Sequence, residues 1–316
     1  MKNTVKFFEA MQSMAIIALV AVIGITVVGC PAGLTDDNEN KNGHENENSN
    51  IGGKTVIFDS ISAMAEWLNS QPTNTATTAY NIKLNVSDLG GDYNASGSAA
   101  KAIGNKYVKL DLSGSTITSI GESAFCFTRL TSITIPDSVT SIGDNNVFYG
   151  CTSLTTITVD ANNSTYSSES GVLYNKNKTT LVSYPGGKQW PFAIPSSVTN
   201  IGARAFGDCT NLTAIGIPGS ITTISDSAFL GCKGLTNVAI PDSVTKIGNS
   251  AFQGCTSLTE VYFFKANIQI ADNAFGVLGQ PTEYIGDLRI KYLVGGIGKY
   301  TRSNGGITWT KVVYGR

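Results

Sequence analysis

The chain has 316 residues, of which 14% are charged, and 22 basic against 23 acidic residues leave a formal net charge of −1. Soluble proteins usually carry about 25% charged residues, so no strong field is available to attract nucleic acid, and nucleic acid is excluded as an expected partner. His44 is the single histidine. Because imidazole is the usual acid–base group and a frequent zinc ligand, this count disfavours catalytic triads, histidine–zinc sites and most hydrolase mechanisms. We expect no catalytic residue, metal, cofactor or small-molecule substrate.

Residues 1–29 are predicted to be a lipoprotein signal peptide. Lys2 and Lys6 precede an uncharged apolar run over residues 14–28, which is shorter than the roughly 20 residues that a membrane span needs. The run ends in Val-Val-Gly-Cys at Cys30, which resembles the bacterial lipobox. The resemblance implies that acylated Cys30 anchors the protein to the membrane. An ordinary signal peptide and an uncleaved helix are the alternatives.

Residues 30–53 are predicted to be the lipidated cysteine and a disordered tether. The segment is polar and nearly free of large apolar groups, so it cannot bury enough surface to offset the entropy cost of ordering. Four side chains fall at the spacing of an EF-hand-type calcium loop: Asp36, Asn38, Asn40 and Glu47. Lys41 replaces the turn glycine, so a solvated linker is preferred over a calcium site.

A 23-residue period organises residues 106–275. Three residue types recur at that step in the clearest units: Phe206, Phe229, Phe252 and Phe275; Cys209, Cys232 and Cys255; Leu212, Leu235 and Leu258. Two earlier copies, around Phe125 and Phe148, fit with slips of one residue. The segment Leu-x-x-Ile-x-Ile ends in strand-like alternation before a proline, so each unit is predicted to supply one short strand. Stacked units would form ladders of like residues about 4.8 Å apart.

These units resemble the leucine-rich repeats of the BspA-like class, whose pattern is close to L-x-x-I-x-I-P-x-S-V-x-x-I-G-x-x-A-F-x-x-C. The resemblance implies an α/β, β-rich leucine-rich repeat solenoid, a curved stack of 23-residue units with N- and C-terminal capping segments. It also implies a surface protein of a host-associated microbe that adheres to matrix proteins or other cells. One serine per unit is predicted to bond loop backbone: Ser138, Ser197, Ser220 and Ser243.

Capping segments are predicted at residues 54–105 and 276–316, because open repeat ends expose core and strand edges. The elements expected in the first are a strand at Thr55–Phe58, a helix at Ser60–Asn69 and a strand at Ile82–Val86. The elements expected in the second are strands at Leu288–Val294 and Trp309–Tyr314 around a Gly-rich loop.

An insertion interrupts the period at residues 160–193. Its alternating segments Gly171–Tyr174 and Thr180–Pro185, joined by a polar turn, predict a β-hairpin. The insertion is rich in aromatic residues, so Tyr174 and Trp190 are candidate contacts for a partner. The preferred alternative is that the hairpin packs these rings against the flank of the solenoid.

Once Cys30 is set aside, five cysteines remain, and an odd number argues against a closed disulfide framework. Four share the inward slot of the repeat and are predicted to be buried thiols: Cys151, Cys209, Cys232 and Cys255. Cys126 lies off that register and is the candidate for a reactive thiol.

Two segments have the spacing of a catalytic motif but lack the other residues that the motif requires. Ser98 and Lys101 have the S-x-x-K spacing of penicillin-recognising serine enzymes, but S-D-N and K-T-G are absent from the sequence. Gly298 and Lys299 suggest a phosphate loop, but Tyr300 stands where serine or threonine would hold magnesium. We therefore predict that the protein is not an enzyme.

The outward strand positions define a flat strip with little charge, which suits an extended protein ligand better than a small molecule. Its members are Ser132, Thr134, Thr156, Thr158, Ala214, Gly216, Asn237, Ala239, Glu260 and Tyr262. The main hypothesis is a lipid-anchored, cell-surface binding module or adhesin for extracellular or cell-surface proteins, in a bacterial outer membrane. A self-associating, non-catalytic envelope component is the alternative, and a secreted decoy for host receptors is a third. Tyr262 is the first candidate anchor, because aromatic rings concentrate binding energy.

Overall fold

The computed structural model describes residues 53–92, 94–95, 98–143, 146–189, 191–276, 287–304, 306 and 308–312. The predicted signal peptide, Cys30 and nearly all of the tether lie outside these residues. Within them, no helix has both the length and the apolar character that crossing a membrane requires.

The N-terminal cap and first rung alternate strands with helices: β1 (Thr55–Phe58), α1 (Ile61–Ser70), a 3-10 turn (Ala76–Thr78), β2 (Tyr80–Leu84), α2 (Ala99–Ile103) and β3 (Val108–Asp111). Helix α1 begins where Ser60 caps it, accepting a hydrogen bond from the Ala63 backbone at 3.2 Å. The predicted first strand and helix are confirmed, and the second strand begins two residues earlier than expected.

Each repeat contributes a strand to a parallel sheet. These strands are β5 (Leu130–Ile135) and β7 (Thr156–Val159) in a first sheet of order β1-β2-β3-β5-β7, and β13 (Ala214–Gly216), β15 (Asn237–Ile240) and β17 (Glu260–Phe263) in a second sheet. Asn237 pairs with Glu260, so the sequence period is the register of the second sheet. In the first sheet a bulge between the pairs Val108–Leu130 and Lys109–Ser132 absorbs the missing residue of the copy around Phe125. The next pairing has no bulge, and β5 pairs with β7 one residue beyond the period.

A second set of two-residue strands follows the main strand of each unit. They are β4 (Ser119–Ile120) and β6 (Ser141–Ile142), which pair with each other; β12 (Asn200–Ile201), which pairs with the insertion; and β14 (Thr223–Ile224), β16 (Lys246–Ile247) and β18 (Gln269–Ile270), which form a three-stranded sheet. The sequence pattern does not predict these strands, because two residues are too few to show a period.

The predicted ladders fill the core. The rings of Phe206, Phe229, Phe252 and Phe275 stack with centroid separations of 4.8, 5.0 and 4.9 Å. The four cysteines of the inward slot are buried, as predicted. Cys232 donates its thiol hydrogen to the carbonyl of Phe206 at 3.0 Å, and Cys255 donates to that of Phe229 at 3.2 Å. The thiol of each of these rungs therefore donates its hydrogen bond to a backbone carbonyl of the preceding rung.

The serine ladder is present in three of the four predicted positions. Ser138, Ser220 and Ser243 donate to carbonyl oxygens of the preceding rung at 2.7, 2.6 and 2.6 Å. Ser197 is exposed, since the segment preceding its rung is the insertion, which breaks the period. An unpredicted threonine ladder lies on the same rungs, with Thr259 donating to the carbonyl of Thr236 at 3.3 Å.

The insertion supplies three antiparallel strands, one more than the predicted hairpin, to a four-stranded sheet that β12 completes. Its strands are β8 (Tyr166–Glu169), β9 (Val172–Asn175) and β10 (Thr180–Ser183), and β11 (Phe192–Ala193) then opens the second repeat sheet. Asn163 anchors it: the buried amide donates to the carbonyls of Pro136 and Val139 at 2.9 Å each and accepts from the backbone of Thr165 and Tyr166.

The C-terminal cap corrects one prediction. Leu288–Val294 lies in a helix, α3 (Asp287–Gly295), and the Gly-rich segment holds strand β19 (Gly298–Thr301), which pairs antiparallel with β17 and with β20 (Thr310–Lys311). The strand prediction for Leu288–Val294 is wrong. Strand alternation would place Val294 on the same face as the buried residues Leu288 and Tyr292, but Val294 is 88% exposed, as a helix allows. The Tyr292 hydroxyl donates to the carbonyl of Lys265 at 2.6 Å and accepts from the backbone of Ile268.

Candidate binding surface

The outward positions of the second sheet lie side by side. Ala214, Asn237 and Glu260 are consecutive partners in register, and Ala239 pairs with Tyr262. Asn237 is exposed, whereas the alternate residues Val238 and Val261 are buried. We call this surface the C-terminal face. Its side chains are small at Ala214 and Ala239 and larger at Glu260 and Tyr262.

The strip predicted from the sequence is divided between two sheets. Thr134 and Thr158 are paired neighbours in the first sheet, whereas Asn237, Glu260 and Tyr262 belong to the second. Strands β11 and β13 open the second sheet after the insertion, so the threonines and the C-terminal face do not share one continuous ladder. The division was not evident from the sequence, where the outward positions follow one pattern.

Glu260 and Tyr262 belong to a cluster that the strip did not include. Lys299 of β19 lies opposite Tyr262, and its ammonium is 2.6 Å from Glu260 Oε1 and 5.2 Å from the centre of the Tyr262 ring. The Tyr262 hydroxyl donates to Glu260 Oε2 at 2.8 Å. We call Glu260, Tyr262 and Lys299 the Tyr–Glu–Lys cluster. The sequence signalled Lys299 only as part of a phosphate-loop look-alike.

The hydrogen bonds of the cluster favour the ionised forms of Glu260 and Lys299. Burial acts to raise the pKa of Glu260, but hydrogen bonds from Lys299 and Tyr262 outweigh it and lower that pKa from its ordinary value. The hydrogen bond to Glu260 raises the pKa of Lys299, and burial raises the pKa of the Tyr262 hydroxyl. All three residues are half-buried, so the ring is held in place while part of its surface is open to solvent.

The two aromatic candidates of the insertion, Tyr174 and Trp190, are not part of this surface as described. Tyr174 is 2% exposed, and burial raises its pKa to about 12. Its ring is part of the core around Phe206 rather than of an exposed patch, as the packing alternative predicts, and we do not retain it as a contact residue. Trp190 lies outside the described residues.

Cys126, the candidate for a reactive thiol, is buried. Cys126 is 4% exposed, and burial raises its pKa to about 11, although the charge of Arg204 acts in the opposite direction. Burial also raises the pKa of Cys151 to about 12. Thiolates are the reactive form, so neither residue has the character of a nucleophile. The five described cysteines are all unpaired.

The serine-enzyme look-alike is a helix cap. Ser98 is fully buried, and its hydroxyl accepts a hydrogen bond from the backbone of Lys101 at 3.2 Å at the start of α2. The described residues include no group of three or more histidine, cysteine or acidic side chains arranged to hold a metal ion.

Comparisons with known proteins agree with the repeat architecture. The sequence model of the BspA type leucine rich repeat region matches residues 105–190 and 186–283, with six copies. A search of curated proteins gave no match.

Three solved structures are similar to this chain. A leucine-rich repeat protein from Eubacterium ventriosum is 34% identical over 61% of this chain and 50% of its own, with a TM-score of 0.47. The pneumococcal vaccine antigen PcpA is 26% identical over 62% and 53%, with a TM-score of 0.48. A leucine rich cell surface protein from Faecalibacterium prausnitzii is 26% identical over 68% of each chain, with a TM-score of 0.43.

The chain spans about half the length of the first two of these proteins. The repeat match alone extends over more than half of the present sequence and coincides with the stacked strands and the phenylalanine ladder. On this evidence the chain belongs to the BspA-type leucine-rich repeat family.

Proposed function

We propose that this protein is a cell-surface protein-binding module, an adhesin, that acylated Cys30 holds on a bacterial outer membrane. Its partners in this proposal are extracellular or cell-surface proteins. The single observation that carries it is the C-terminal face, where small side chains lead to the half-open Tyr–Glu–Lys cluster. One similar structure is that of a cell surface protein, which is the location proposed here.

The chemistry of this face favours a protein partner. Ala214, Gly216 and Ala239 add little relief, and flat surfaces suit extended interfaces better than small ligands. Tyrosine is enriched among residues that dominate binding energy. Because Glu260 and Lys299 already hold the Tyr262 ring, a partner would not bear the full entropy cost of ordering it.

A pull-down tests the proposed partner class. The full chain, immobilised in a mild detergent, is incubated with purified matrix proteins and with surface-labelled host-cell proteins. We expect a discrete set of proteins to be retained by the folded chain and lost from beads that carry Tyr262→Ala. Retention that is the same for wild type, Tyr262→Ala and heat-unfolded chain would contradict a specific surface.

The anchor is tested separately. Cells that express the chain are labelled with a clickable fatty acid, and the protein is isolated. We expect label on the wild type and none on Cys30→Ser, which should also be released from membranes. Uptake of label by Cys30→Ser would contradict acylation at this residue.

Self-association is a second candidate function, which one observation favours. Large exposed apolar side chains occur at both ends of the repeat stack: Ile57 on β1, and Leu293, Val294 and Ile297 in the C-terminal cap. Light scattering at increasing concentration tests this function, with Val294→Lys compared with Thr245→Lys on an exposed rung position. Growth in mass that only Val294→Lys abolishes would favour an envelope component, and a monomer at all concentrations would contradict it.

A further inference from the structure

A group of exposed aliphatic side chains lies at the end of α3 and on the loop that follows it. Leu293 is 59% exposed, Val294 is 88% exposed and Ile297 is 53% exposed. We call these three residues the apolar tip. Single exposed apolar residues are common, but several that lie together mark a contact with another molecule or with a membrane. A role for this tip depends neither on acylation of Cys30 nor on a protein partner at the C-terminal face.

The loop that carries the tip is held firmly by the C-terminal cap. The backbone N–H of Gly296 donates to the carbonyl of Tyr292 at 2.6 Å, and the Gly296 carbonyl accepts from the Tyr300 hydroxyl at 2.7 Å. The ammonium of Lys311 donates to the carbonyl of Gly295. A Cβ on Gly295 would lie 2.5 Å from the Tyr300 hydroxyl oxygen, so the loop packs closely on that side chain. The exposure of the tip is therefore a fixed feature of the fold.

The same contacts satisfy backbone groups that the end of a helix leaves open. The last carbonyls of a helix have no partner within the helix, and an unpaired polar group is costly in an apolar medium. The carbonyls of Gly295 and Gly296 instead accept hydrogen bonds from side chains of the cap. The tip can therefore enter an apolar phase while these two carbonyls keep their partners.

The end of the chain that carries the tip is strongly basic. No acidic residue follows Asp287 in the sequence, whereas six basic residues do: Arg289, Lys291, Lys299, Arg302, Lys311 and Arg316. Residues 288–316 therefore have a formal charge of +6, and the preceding residues, with the other 16 of the 22 basic residues and all 23 acidic ones, have −7. Lys299 is paired with Glu260, and a positive excess remains after this ion pair. Such a segment attracts anionic surfaces.

Charge and apolar exposure occur side by side. Lys291 is exposed on α3, two residues before Leu293, and the stem of Lys311 lies under the loop, where a Cβ on Gly298 would be 2.9 Å from its Cε. Aliphatic side chains that enter the acyl region, with lysine ammonium groups at the level of the headgroups, bind proteins to the interface of an anionic bilayer. Helix α3 has nine residues, so it is too short to span a bilayer and would lie on its surface.

Other occupants of the tip fit these observations less well. A soluble anion would use the positive charge but would leave three aliphatic side chains in water. A second copy that met this one across a two-fold axis would bring the same positive charge against itself. We infer that the apolar tip and the basic residues around it bind the surface of an anionic phospholipid bilayer.

A fluorescent probe on the tip tests the inference. The full chain carries Cys30→Ser, so that acylation does not contribute, and Val294→Cys, which takes an environment-sensitive nitrobenzoxadiazole label because the five described cysteines are buried. It is mixed with vesicles of phosphatidylcholine alone or of phosphatidylcholine and phosphatidylglycerol. We expect the fluorescence to rise with the mixed vesicles, to be quenched by spin label placed in the acyl chains, and to fall again as salt is added.

Two changes to the labelled chain separate the apolar and the charged contribution. Leu293→Ser combined with Ile297→Ser should lower the partition coefficient for mixed vesicles by about tenfold or more, because two aliphatic side chains no longer enter the lipid. Lys291→Gln should lower it by about fivefold. All three side chains are exposed, so the melting temperature should not change. If the double variant melts lower, Lys291→Gln and the probe on Val294→Cys still decide the outcome.

The control is the same label on Ile57→Cys, since Ile57 is 60% exposed on β1 at the other end of the described chain. This probe should not respond to vesicles. The inference is overturned if the probe on Val294→Cys gives no signal with mixed vesicles, if it responds equally to phosphatidylcholine alone, or if the probe on Ile57→Cys responds as strongly. A signal that rises with protein concentration in the absence of lipid would identify a second copy as the occupant and would also overturn it.

Discussion

Phe229→Ala is the sharpest test of the stacked core. The ring is fully buried and lies between Phe206 and Phe252, with centroid distances of 4.8 and 5.0 Å. Emptying a core aromatic site costs about 3–5 kcal/mol, and each aromatic pair contributes about 0.5–1.5 kcal/mol beyond its buried area. Because the ring loses two such pairs, we expect a cost near 5 kcal/mol.

The assay is thermal unfolding followed by circular dichroism. For a chain of this size each kcal/mol lowers the melting temperature by about 2–4 °C, so Phe229→Ala should melt about 10–20 °C below wild type. Phe127→Ala is the matched control, since that ring is 56% exposed and should change the melting temperature far less. A Phe229→Ala protein that melts within a degree of wild type would show that the ring is not a rung of the core.

Three further predictions concern the ladders, the cluster and the thiols. Ser243→Ala should cost about 1–3 kcal/mol in chemical denaturation, because the Ile221 carbonyl loses its 2.6 Å donor, and a cost near zero would contradict the ladder. The pKa of Glu260 is lowered in the folded state, so its contribution to stability is present above the ordinary pKa of 4.5 and is lost as pH falls through the folded-state value. Glu260→Gln should therefore flatten the acid side of a plot of unfolding free energy against pH. An unchanged plot would refute the pairing. Cys126 should react with a thiol reagent only in denaturant, since burial raises its pKa to about 11, and rapid labelling of the native chain would be the opposite result.

The parts of the fold that repeat were predictable from the sequence. A residue that returns every 23 positions, such as Phe229, can occupy one interior slot in every rung, and the observed stack follows from that single condition. The cysteines and most of the serines follow by the same reasoning, because each bonds to the rung before it.

The parts that occur once were harder to predict. The short apolar segment Leu288–Val294 is compatible with a strand or a helix, and the exposure of Val294 beside the buried Leu288 and Tyr292 decides for the helix. Asn163 satisfies four backbone groups at the base of the insertion, a role that its polar surroundings in the sequence do not reveal.

The candidate surface was only partly predictable. Glu260 and Tyr262 follow from the strand alternation, but Lys299 joins them through an antiparallel pairing with β17 that no local pattern indicates.

In the proposed function, a protein partner binds the C-terminal face through the Tyr–Glu–Lys cluster. The most direct measurement is the affinity of a retained partner for wild type, for Tyr262→Ala and Asn237→Ala, and for the control pair Thr134→Ala and Thr158→Ala, with folding checked for each. We expect a loss of about tenfold or more for Tyr262→Ala, a smaller loss for Asn237→Ala, and near wild-type binding for both threonine variants. Normal binding by Tyr262→Ala, with binding lost in the threonine variants, would contradict it and would place the partner on the first sheet.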